Sequence, residues 1–92
     1  MRFLSVNYDW NEEKNNLLKN SDRQVSFEDV LYALKNDQLL DVIPSPTHEN
    51  QECLVIYINE YIYIVPFVSS EETIFLKTIY PSRKHTKYYL KG

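Results

Sequence analysis

The chain has 92 residues, 43% hydrophobic and 25% charged, with a formal net charge of −3. That length gives room for one domain, residues 1–92, whose core buries about 60% of the unfolded surface. The only glycine is Gly92, which excludes a P-loop, a dinucleotide-binding fingerprint and a nucleophile elbow; the only cysteine, Cys53, lies in an apolar run and excludes an intrachain disulfide or a thiolate metal cluster.

The opening stretch "RFLSVNYDW" predicts a short first strand. It lacks the long apolar core of a signal peptide, and no apolar run in the chain is long enough to span a membrane, so a soluble, cytoplasmic protein is expected. "NEEKNNLLKNS" reads as a short helix, with Asn11 as its N-cap and Glu12 and Glu13 in the first turn, where the helix dipole favours acids. "SFEDVLYALKND" reads as a clearer helix. Ser26 and Asp29 form a variant capping box, and Phe27, Val30, Leu31 and Leu34 fall on one face. "DVIPSPTHENQ" reads as a loop that could open with a short strand.

The second half predicts three strands in an antiparallel meander. "ECLVIYI" and "YIYIVPFV" flank a tight turn at Asn59-Glu60, where Asn tolerates positive φ, and "SSEE" turns into "TIFLKTIY". Pro66 should lie at a bulge, an edge or a strand end. Pro81 ends the third strand and Ser82 caps a last helix, "RKHTKYYLK". The expected architecture is α+β, with helices on one face of an antiparallel sheet. Burial should centre on Phe27, Leu31, Leu34, Leu54, Ile56, Ile62, Ile64 and Leu76.

Charge is divided unevenly along this order. Residues 1–72 hold all 13 acids and five of the ten Lys and Arg, for −8; residues 73–92 hold the other five and no acid, for +5. Such a split points to a polyanion, a partner of opposite sign, or a solvated basic helix. On a helix over 82–91, Lys84, Lys87, Tyr88 and Lys91 share a face, and Arg83 neighbours Lys87 one turn on. Lys77 points to the same side of its strand as Phe75 and Ile79, so it is at a sheet end, snorkelling or in a site. Cutting RNA without a metal needs a 2′-hydroxyl deprotonated, a phosphorane stabilised and a 5′-oxygen protonated; cations serve the second step, and His, Tyr or Lys can serve the others. No acidic cluster resembles a Mg²⁺ site and the two histidines are far apart, so no metal or other cofactor is expected.

The stretches "YDWNEEKN…VSFEDVLYAL" and "IFLKTIYPSRKHTKYYL" resemble the BrnT family of bacterial toxins, within the RelE-like ribonucleases of type II toxin–antitoxin systems. The resemblance runs from about Tyr8 to Leu90 and rests on Trp10, Asn11 and Lys14, on the "VSFED" helix start, and on Ser82-Arg83-Lys84 with Thr86. It implies a RelE-like fold and a metal-independent endoribonuclease, ribosome-independent or ribosome-linked, that arrests growth until an antitoxin binds it. The implied antitoxin is a DNA-binding protein of ribbon-helix-helix or similar type, with operator DNA reached only through the complex. Matching positions imply Lys14, Arg83 and Lys87 as site residues, with Lys77 and Lys84 matching a branch of the family.

Where relatives carry a Lys-His-Gly segment this chain has "KNSDRQ", and His85 stands where relatives often carry a small residue. Arg23 could fill space near the missing histidine. The candidate catalytic set is therefore Arg83, Lys14, Lys87, His85 and Tyr88, and the candidate RNA-binding set Lys77, Lys84, Arg23, Lys19 and Lys91. Two alternatives stand beside a ribonuclease: a catalytically weak module that binds antitoxin or nucleic acid, and a simple nucleic-acid-binding domain.

Overall fold

The computed structural model describes residues 6–22 and 24–90. The elements in order are β1 (Asn7–Trp10), α1 (Glu12–Lys19), α2 (Phe27–Lys35), β2 (Leu39–Pro44), β3 (Glu52–Ile58), β4 (Tyr61–Ser70), β5 (Thr73–Leu76), β6 (Tyr80–Pro81) and α3 (Arg83–Leu90). They build an α+β fold around one mixed sheet of order β1-β5-β4-β3-β2, with β6 also paired to β4.

Local signals act as the sequence predicts. The Asn11 side chain accepts the Lys14 N–H, and Ser26 and Asp29 form a complete capping box at the start of α2. Asn59 and Glu60 both have positive φ, 51° and 63°, the conformation of a type I′ hairpin turn. Asn15 is fully buried and joins the two N-terminal helices: its Oδ1 accepts the Phe27 N–H at 2.8 Å, and its Nδ2 donates to Glu28 Oε1 at 2.8 Å.

The sheet departs from the expected antiparallel pattern in three places. β1 pairs parallel with β5, Asn7 opposite Thr73 through Trp10 opposite Leu76. The "DVIP" stretch belongs to a full strand, β2, antiparallel to β3 at the sheet edge. The third meander strand is broken into β5 and β6. Pro66 explains the break. The Lys77 N–H donates to the Pro66 carbonyl at 2.8 Å, but Pro66 has no N–H to return, so the ladder stops there. The chain then leaves the sheet, buries Ile79, and rejoins β4 with Tyr80 opposite Ile64 and Pro81 opposite Tyr63.

Both faces of the sheet are covered, another departure from the expected single layer of helices. On one face Leu54, Ile56, Val65, Phe67 and Leu76 pack with Phe27, Val30 and Leu34 of α2, and Trp10 stacks on Phe27 with ring centroids 5.5 Å apart. On the other, Cys53, Val55, Ile62 and Ile64 pack under Tyr89 of α3. Of the eight residues expected at the centre of burial, seven are buried and Leu31 is partly buried. Cys53 is fully buried, and burial pushes its thiol up, away from the reactive thiolate. Among the described residues no helix is long and apolar enough to cross a membrane.

Candidate functional site

The basic helix α3 is anchored by a small polar knot. The Ser82 N–H donates to the Ile62 carbonyl at 2.9 Å, continuing the β6–β4 ladder by one step. The Ile62 N–H then has no strand to meet and donates to Thr86 Oγ1 at 2.9 Å, while that hydroxyl donates to the Ser82 carbonyl at 2.7 Å. Ser82 also caps α3, its Oγ accepting the His85 N–H at 3.2 Å. Because the edge of β4 is satisfied this way, α3 starts against the sheet and displays its long side chains.

Two open grooves flank α3. The first, about 820 Å³, is lined by Arg83, Thr86, Lys87 and Leu90 from α3 and by Tyr57, Glu60 and Tyr61 from the β3–β4 hairpin. Arg83 and Lys87 are exposed and one turn apart. The second groove, about 520 Å³, is lined by Lys84, His85, Lys87, Tyr88 and Tyr89 from α3 and by Asp41 and Ile43 from β2. Lys87 lines both. Tyr88 is 71% exposed and meets Tyr89 edge to face, with centroids 4.9 Å apart. Burial, and next the neighbouring Asp41 carboxylate, push the Tyr89 phenol up.

The ten candidate residues divide by position. Arg83 and Lys87 come together in the first groove; Lys84, His85 and Tyr88 join Lys87 in the second. His85 is held by its own helix cap, with Nδ1 2.7 Å from Ser82 Oγ. Lys14 and Lys19 lie on α1, whose Leu18 packs on the opposite sheet face from Tyr89, and neither lines a groove with Arg83. Lys19 pairs with Glu28 at 3.6 Å. Lys77 lies exposed just past the end of β5, the sheet-end alternative, 5.9 Å from the Phe75 ring centroid; because the strand stops at Leu76 it does not share a side with the buried Ile79, and it lines neither groove. Arg23 and Lys91 lie outside the described residues.

Sequence reasoning missed Tyr57, Glu60 and Tyr61, although the hairpin signal around Asn59 had already brought them together. It also missed Asp41 and Ile43, because the two prolines and polar run of "DVIPSPTHENQ" signal a loop and mask the strand that precedes them. Among the described residues no three His, Cys, Asp or Glu side chains gather as metal ligands. No family model, curated protein or solved structure matches the chain.

Proposed function

We propose that this protein is a RelE-like, BrnT-like toxin, a metal-independent endoribonuclease restrained by a cognate DNA-binding antitoxin. The observation that carries the reading is the pairing of Arg83 and Lys87, one helical turn apart, in an open groove with two tyrosines and a carboxylate. A guanidinium and an ammonium at that spacing hold a phosphate and stabilise the extra charge of a phosphorane. The 2′-oxygen attacks phosphorus, the bond to the 5′-oxygen breaks, and the products are a 2′,3′-cyclic phosphate and a 5′-hydroxyl. Glu60 and the phenols of Tyr57 and Tyr61 are the groove's groups for taking and returning the two protons. The +5 balance of residues 73–92 supports an acidic antitoxin segment on the same surface when the enzyme is restrained.

A second reading, a binding module with weak or absent catalysis, is favoured by one observation: His85 is tied to Ser82 and lines the neighbouring groove, not the one that holds Arg83. Incubating purified protein with single-stranded RNA in chelator separates the two. The enzyme reading expects cyclic-phosphate ends, with the Arg83→Ala variant slower by about 10²–10³ at unchanged circular dichroism. RNA that is bound but left intact establishes the binding module; RNA neither bound nor cut removes both.

A further inference from the structure

The second groove carries features that phosphate binding alone does not use. Tyr88 presents most of its ring to solvent beside Lys84, His85 and Lys87. Opposite them stands a carboxylate, Asp41, which a groove built only for anions would exclude. Asp41 faces this way because of a local irregularity. Residues two apart in a regular strand share a face, yet Leu39 lies opposite Ile56 and Asp41 lies opposite Val55, with the register shifting between them. Leu39 packs with the α2 face, and Val55 belongs to the cluster under Tyr89. The bulge at Leu40 therefore turns Asp41 toward α3, a use of bulges that recurs beside binding sites.

Asp41 is also held in place. Its Oδ1 accepts the Val42 N–H at 2.8 Å, and Tyr89 is its neighbour across the groove. A carboxylate offers about four acceptor sites, so the bonds from the Val42 N–H and the Tyr89 phenol leave capacity for a ligand's two donors. An exposed aromatic face, flanking cations and a fixed two-oxygen acceptor together match one ligand class: an unstacked nucleobase with two adjacent donors on one edge. Guanine is that base, with N1–H and N2–H₂ side by side. Adenine and uracil each present a single donor on the corresponding edge.

We infer that the groove between β2 and α3 is a guanine pocket for single-stranded RNA, in which Tyr88 stacks on the base, Asp41 accepts from its N1–H and N2–H₂, and Lys84 and Lys87 hold the flanking phosphates. This rests on the RNA reading of the neighbouring groove. Lys87 lines both grooves, so a strand whose phosphate lies between Arg83 and Lys87 continues directly into the second. The pocket makes Asp41 the determinant of base preference and Tyr88 the source of sequence-tolerant affinity.

The test uses labelled hexanucleotides with 2′-O-methyl sugars, which cannot be cleaved, identical except for one internal guanine, inosine or adenine. Fluorescence anisotropy with the full chain should give tightest binding for guanine, on the order of tenfold over adenine, with inosine between because it lacks the N2 amino group. Asp41→Asn should erase that ranking. Tyr88→Ala should weaken all three oligonucleotides several-fold, and Tyr88→Phe should restore the loss. Equal affinities for the three bases in the wild type, with binding intact, overturn the guanine pocket and leave the RNA reading standing. An unchanged ranking in Asp41→Asn overturns the role of Asp41. Absence of any binding by the wild type removes the RNA reading and this pocket together, and would turn the groove toward a protein partner.

Discussion

The Ile62 N–H donates to the Thr86 hydroxyl at 2.9 Å, joining the middle of α3 to the start of β4. Thr86 is buried, and its hydroxyl also reaches back to the Ser82 carbonyl. Both grooves depend on α3 keeping this seat, because each is walled by α3 on one side and by the sheet on the other. Thr86→Val keeps the shape and deletes the acceptor, leaving the Ile62 N–H buried without a partner. The expected cost is about 1–3 kcal/mol in urea unfolding, with Thr86→Ser losing less. Equal stability of Val and wild type would show that the bond does not hold the helix.

Asn15 does the corresponding task for the N-terminal helices. It is fully buried and satisfies the Phe27 N–H at the first residue of α2. Asn15→Ala removes that partner and opens a small void, and should destabilise by about 1–3 kcal/mol. Since α1 and α2 pack on the face away from α3, RNA affinity should be unchanged at temperatures where the variant stays folded. Calorimetry and anisotropy on one preparation check both halves.

Stability should fall in alkali. Burial pushes the Tyr8 phenol up to about 12, and burial is also the leading cause of the upward shifts at Tyr80 and Tyr89. These groups hold their protons more tightly when folded than the value of about 10 in an unfolded chain. Their contribution is complete below about pH 10 and is lost as pH rises through the folded values, because the unfolded state then binds fewer protons. The buried Cys53 thiol, also pushed up, begins the same loss above about pH 8.5, so urea midpoints should be level below about pH 8, decline gently above it and fall more steeply above about pH 10. A smaller decline in Tyr8→Phe identifies the main contributor.

The antitoxin proposed here should dock on the α3 surface and exclude RNA. Lys84 and Lys87 are exposed cations on that helix, and the described residues give neither an ion pair. Electrostatic steering raises association rates and is screened beyond about 8 Å at physiological salt. The double variant Lys84→Glu, Lys87→Glu should associate more slowly with antitoxin and show a flatter salt dependence. It should also lose RNA affinity, since each phosphate contact adds to the salt slope. Stopped-flow rates at low and high salt decide the matter, and an unchanged rate and slope would move the antitoxin to another face.

Features confined to a few neighbouring residues were legible in the sequence. The capping box of Ser26 and Asp29, the Asn11 and Ser82 caps and the Asn59-Glu60 turn all arise from side chains and backbone groups within three or four positions of each other. Their geometry is set before the chain meets any distant segment. Burial of Leu54, Ile56, Ile62 and Ile64 was equally readable from their β-branched and aliphatic runs. What covers each face was not. Periodicity gives a residue its side of a strand but does not name the neighbouring strand. Hence the parallel pairing of β1 with β5, the place of β2 at the edge and the seat of α3 opposite α2 were decided by tertiary packing.

The candidate site divides the same way. The nearness of Arg83 to Lys87, and of Lys84 to Tyr88, follows from helical spacing alone. Lys14 was grouped with them by resemblance, yet α1 packs on the other side of the sheet from α3. Asp41 could not be grouped with them at all, because its direction depends on a one-residue bulge whose register is set only by pairing with β3. The sequence by itself determined the helices, the hairpin, the buried positions and the basic face of α3. The tertiary structure alone decided which residues face that helix, because strand order and register come from contacts between segments far apart in the chain.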